Sequence, residues 1–81
     1  MTAADLVRAI DHARAGEWDA AHGIVQQDET DATAAWIHAV LHKIEGDSGN
    51  ARYWFAKAGK LDRVDCDPMS ELAVIRATLA K

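Results

Sequence analysis

This chain is poor in the residues that carry most recognisable chemistry. It has one cysteine, Cys66, so no disulfide can form within it, which fits a reducing compartment. It has one proline, Pro68, and therefore little to interrupt helices. No Lys/Arg cluster approaches the density of a nucleic-acid patch, and the net charge is −4. DNA, RNA and anionic membranes all demand a concentrated positive field, so none is an expected partner. The acidic balance would suit a basic protein partner, but no motif backs that reading. No run approaches the roughly 18 apolar residues of a membrane span. The start, "MTAADLVRAIDHARAG", lacks a basic region followed by an apolar stretch, so no signal peptide is expected and the expected location is cytoplasmic. Glycine-rich phosphate loops are missing too: "GDSG" fits neither nucleotide-binding pattern.

With 81 residues, 49% of them hydrophobic and 27% charged, the expectation is one folded domain spanning 1–81. No stretch alternates as a strand does. Apolar residues recur at three- and four-residue spacing instead, so an all-α fold of about five helices is predicted. The first covers about 3–15, started by Thr2 and Asp5 as a capping box and stopped by Gly16, with Leu6, Val7, Ile10 and Ala13 inward. The second covers about 18–27 and turns Ala21, Ile24 and Val25 inward. The third and fourth, about 32–45 and 48–58, are parted by Gly46 and Asp47, a stop followed by a cap. After a polar loop at 60–67, Asp67-Pro68 opens a last helix over about 68–80, with Met69, Leu72, Ile75 and Leu79 on one side.

The chain also resembles itself at an offset of 30 residues. His12, Gly16, Glu17 and Ala21 match His42, Gly46, Asp47 and Ala51, and apolar positions agree around them. Each unit reads as helix, Gly-acid turn, helix. Two stacked antiparallel hairpins follow, at about 2–28 and 31–59, with the last helix as a cap. "GDSGNARYWFAKAG" resembles the turn and second helix of a tetratricopeptide unit: Gly46-Asp47 opens the turn, and Ala51, Phe55 and Ala58 fall at the expected small and aromatic places. "GEWDAAHGIVQ" carries Gly16, Ala21 and Val25 in the same places. The first helices depart from that family, with Ala39 where a glycine belongs, and the period is 30 rather than about 34. The resemblance implies a helical-hairpin fold. Longer stretches also resemble short bacterial proteins of unknown function, which implies no activity, substrate or cofactor.

What is abundant is local. Residues 35–59 hold two of the three tryptophans, the only tyrosine and phenylalanine, and two of the four histidines. His38, His42 and Glu45, at i, i+4 and i+7, fall within about a 60° strip of the third helix. Two imidazoles and a carboxylate suit Zn²⁺, Ni²⁺ or non-haem iron, with His22 from the neighbouring helix as a further ligand. "HAVLH" lacks the internal glutamate of the H-E-x-x-H metalloproteases. The competing reading, preferred from sequence, is that these histidines pack at a helix contact and satisfy buried polar groups. His12 recurs at the place of His42 without a local histidine partner, which packing explains directly.

No catalytic residues are expected. Cys66 lies among Asp62, Asp65 and Asp67, which disfavour its thiolate. Those acids with Glu71 lack the spacing of a calcium loop and read as a solvated, helix-capping segment. The consecutive Tyr53, Trp54 and Phe55 fan over about 200°, so they cannot share one core face. Trp18, Trp36, Tyr53 and Trp54 are the expected partner-contact residues. The leading functional expectation is thus a small non-catalytic helical interaction or scaffold module that binds a protein partner or itself. The alternative is a metal-binding protein or small metal-dependent enzyme using His38, His42, Glu45 and His22.

Overall fold

Helix starts in this chain are fixed by short oxygen-bearing side chains. Thr2 accepts from the Asp5 amide while the Asp5 carboxylate accepts from the Thr2 amide, a reciprocal box that opens α1, Ala3–Arg14. Asp31 caps the Ala34 amide at the head of α3, Ala32–Ile44. Asp47 does the same for Asn50 at α4, Ser48–Ala58, and Asp67 for Ser70 at α5, Pro68–Leu79, where proline fills the first position. Only α2, Trp18–Val25, lacks a side-chain cap, because the Glu17 carboxylate is turned back onto His12. A 3₁₀ turn at Leu61–Arg63 interrupts the loop before α5. The computed structural model describes residues 1–80; among them there is no strand, and no helix is long and apolar enough to cross a membrane. The fold class is all-α with five α-helices, as predicted, and each boundary lies within two residues of its sequence-based position.

The two Gly-acid turns have the same geometry. Gly16 and Gly46 sit at φ +82° and +80°, and each donates its amide to the carbonyl three residues back. The following acid donates its own amide to a histidine carbonyl: Glu17 to His12 at 2.8 Å and Asp47 to His42 at 2.9 Å. This paired closure needs a left-handed residue, which glycine adopts without penalty. Gly46→Ala is therefore expected to lower stability by about 1 kcal/mol. Gly23→Ala, on the exposed face of α2 with open space where the Cβ would stand, is expected to raise it by about 0.5–1 kcal/mol. Urea titration of the two variants should give opposite signs.

Antiparallel hairpins α1–α2 and α3–α4 stack through α3, which touches every other α-helix. Its residues 34–41 are all buried, eight in a row. A helix apolar on all sides is a central helix, since every face must meet protein. Phe55 from α4, Ile10 from α1, Leu72 and Ile75 from α5, and Ile24 and Val25 from α2 close around it. Alanines 9, 13, 21, 39 and 51 are nearly fully buried at these contacts. The capping helix α5 lies across α1 and α3, the first helices of both hairpins, and so ties the two together. Arg76 reaches from α5 to Asp11 on α1 at 3.2 Å. Two positions expected inward differ: Val7 is only partly buried and Met69 is exposed, while Leu72 and Ile75 of α5 face the core as expected.

Candidate metal centre

The three central histidines come from two elements that packing brings together. His38 and His42 lie one turn apart on α3, and His22 lies on α2, which packs alongside. Their ring centroids form a near-equilateral triangle of 5.1, 5.0 and 4.9 Å. One ligating atom from each lies within 4.8 Å of the other two. His38 is buried, with a 4% exposed residue surface, while the side chains of His22 and His42 are 15% and 17% exposed. The indole of Trp54 stacks on His38 at 4.0 Å, nearly parallel, and closes that side.

The packing explanation asks each imidazole to satisfy a buried polar group, and at Nδ1 none of the three does so. The Nδ1 atoms of His22, His38 and His42 are all buried without a hydrogen-bond partner. An unpaired buried polar atom costs about 1–3 kcal/mol, and three at one locus are an unusual burden for an 81-residue domain. His22 is the most informative. Its Nε2 lies 2.6 Å from Glu45 Oε1, and an ionised carboxylate only accepts, so Nε2 carries the proton. In the neutral ring Nδ1 of His22 is then a lone pair, buried and without a hydrogen-bond partner.

Glu45 itself is displaced from the role expected of it. Its carboxylate holds the outer nitrogen of His22 instead of joining the cluster, because it sits at the C-cap of α3, beside the end of α2. Asp47 stands 3.7 Å from His42 Nδ1, beyond hydrogen-bond reach, and is held by the Asn50 side chain and amide. Those bonds and the nearby His42 hold the Asp47 carboxyl below the usual carboxylate range. His12 makes the corresponding contact directly, its Nδ1 2.8 Å from Glu17 Oε1. The recurrence of histidine at these two places thus has a local cause, a ring facing the acid five residues on.

Burial, then the neighbouring His22, His42 and Lys57, pushes the His38 pKa down from 6.5 to about 4. His38 is therefore neutral at pH 7, the form that ligates metals. The sign of the linked stability follows. Between pH 6.5 and 4 the unfolded chain takes up a proton at His38 that the folded chain refuses, so metal-free stability is full above pH 6.5 and falls as pH drops toward 4. A loss of about 2–3 kcal/mol is expected between pH 7.5 and 4.5. Asp5, Asp28, Asp47 and Asp67, all lowered from 3.8 by hydrogen bonds to their own turns, lose their share only below that window. Urea titration in chelator across this range should show the loss, and His38→Gln should flatten it.

The expected contact residues divide. Trp36 and Trp54 are 6% and 8% exposed, so neither presents a surface to a partner. Trp36 donates its Nε1–H to Glu71 Oε1 at 2.9 Å inside the core, and Trp54 covers His38. Trp18 is partly buried against the core, and Tyr53 alone is well exposed, at 57%. Glu71, expected in solvent, is instead 1% exposed and clamped by Arg63 at 2.5 and 2.9 Å. Lys43 donates to the carbonyls of Val64 and Cys66, pinning the loop before α5. A recess of about 420 Å³ beside Lys43 and the first turn of α4 contains none of the histidines and no unpaired buried group. Comparison of the chain with protein-family models, curated proteins and solved structures finds no match in any of the three.

Proposed function

We propose that this protein binds one divalent transition-metal ion, zinc in the first instance, through the imidazoles of His22, His38 and His42. The observation that carries the reading is the convergence of three imidazoles on one locus, each with a ligating nitrogen within 4.8 Å of the others and each with a buried Nδ1 that has no hydrogen-bond partner. Imidazole ligands suit zinc, copper, nickel and iron, and three of them make up a familiar zinc set. Ligands around tetrahedral zinc lie about 3.3 Å apart at Zn–N distances of about 2.0–2.1 Å, so any of these nitrogens standing farther apart, within their 4.8 Å limit, would have to draw in to hold the ion. Glu45 on His22 supplies the carboxylate that metal-bound histidines commonly carry on their other nitrogen. The ion would tie α2 to α3 and so lock one hairpin onto the other.

The test is calorimetric titration of chelator-stripped protein with Zn²⁺ near pH 7.5. The expected result is one ion per chain, together with a rise in Tm that grows with free Zn²⁺. Absence of heat with both Zn²⁺ and Ni²⁺, and no bound ion by elemental analysis, would overturn the reading.

Tyr53 supports a second reading, a tetratricopeptide-like interaction module. Its exposed ring stands beside Trp54 on α4, and partly exposed aromatics are enriched at protein contacts. Tyr53→Ala should then abolish any concentration-dependent association seen by sedimentation, with helical circular dichroism unchanged. A strict monomer at high concentration, with no protein captured, counts against it.

A further inference from the structure

We infer that the ion in this centre keeps one coordination position for a small exogenous ligand, water at rest and a monodentate anion in its place, an inference that rests on the metal-binding reading above. Three side chains converge and, among the described residues, no fourth metal-ligating side chain joins them. Glu45, the natural fourth candidate, is engaged at 2.6 Å with Nε2 of His22. That nitrogen and Nδ1 diverge across the ring, so a carboxylate bound to one stands outside the locus that the other faces. Asp47, at 3.7 Å from His42, is likewise tied back by Asn50 at 2.6 Å.

Closure of the cluster is one-sided. The Trp54 ring lies on His38 and excludes water there, whereas the His22 and His42 side chains keep 15% and 17% of their surface. The His22–His42 edge is therefore the side of the cluster nearest solvent, with the three Nδ1 atoms themselves buried behind it. Structural zinc sites are closed by four protein ligands; a site with three protein nitrogens is of the open kind, in which the metal binds and acidifies a water. Three neutral imidazoles leave the full +2 charge on the ion, which favours an incoming anion. Glu45 acts as a positioning residue: it sets the tautomer of His22 and leaves Nδ1 for the metal.

Cobalt(II), a spectroscopically visible substitute for zinc, tests this in the full chain. Bound Co²⁺ should show the visible absorption of a four-coordinate ion, and azide should change it saturably, one azide replacing one water per ion. Glu45→Gln should weaken Co²⁺ binding by about 10–100-fold and keep the azide response. A Co²⁺ spectrum that azide leaves unchanged would overturn the proposal. So would a wild-type protein insensitive to azide whose Glu45→Gln variant responds, since Glu45 would then occupy the fourth position. A Co²⁺-dependent dimer in sedimentation that ignores azide would overturn it as well, a second copy then filling that position. Failure to retain Co²⁺ at all would instead sink the metal reading on which the proposal rests.

Discussion

Substituting His42 by leucine is expected to weaken Zn²⁺ binding by about 100-fold or more while leaving the metal-free protein at least as stable as the parent. The first part follows from losing one of three ligands, a change that should exceed the 10–100-fold effect of altering a residue that merely orients a ligand. The second part follows from the bonding of the apo cluster. The Nδ1 of His42 is buried without a hydrogen-bond partner, and its nearest acid lies 3.7 Å away. Replacing an unsatisfied polar group by an apolar one of similar size is close to neutral or stabilising. A histidine kept for packing would show the reverse, lost stability and no consequence for metal. His22→Leu should behave like His42→Leu in both respects, apart from freeing Glu45, which is already half in solvent. His12→Ala is the control: its ring bonds Glu17 outside the cluster, so Zn²⁺ affinity should not move. Calorimetry for binding and urea titration in chelator for stability read the two halves separately. Stability given up for an activity is the ordinary signature of a functional site.

The second large effect is expected at Arg63. Replacing it with alanine should cost about 3 kcal/mol or more. Glu71 is 1% exposed and receives three bonds, two from Arg63 at 2.5 and 2.9 Å and one from the Trp36 indole at 2.9 Å. Removing the arginine leaves a buried carboxylate with a single neutral donor, and breaking such a pair typically costs about 3–5 kcal/mol. Arg63 is itself one-third exposed, so water admitted to the gap holds the cost to the lower end. Against a total stability of about 4–12 kcal/mol for a chain this long, that loss is severe. Glu71→Gln keeps an acceptor for Trp36 and removes the charge that needs Arg63, so about 1–2 kcal/mol is expected. Urea midpoints of the two variants should differ clearly; equal, small losses would mean that the pair is solvent-screened and contributes little.

These two sites also mark how far the sequence alone reaches. The helices were legible because their signals are local. Thr2, Asp31, Asp47 and Asp67 cap amides three residues ahead, and Gly16 and Gly46 close turns that span five residues. The burial of Trp36 was half legible: residues 34–41 lack a polar face except for His38, the pattern of a helix enclosed on all sides. Reading Trp36 as a contact residue instead gave weight to residue type over that pattern. For the site, the i and i+4 spacing of His38 and His42 placed them on one face, but nothing local says whether an imidazole there finds a partner.

Sequence by itself therefore determined where each helix begins and ends, and that two hairpins turn alike, since capping and glycine closure are complete within about one turn of chain. Only the tertiary structure decided that His22 meets His38 and His42, that Glu45 holds His22 across 23 residues, and that Glu71 is buried against Trp36 across 35. Those contacts depend on the rotation and register of α2 and α5 against α3. That docking is set by the summed fit of many apolar side chains, and no short pattern along the chain encodes it.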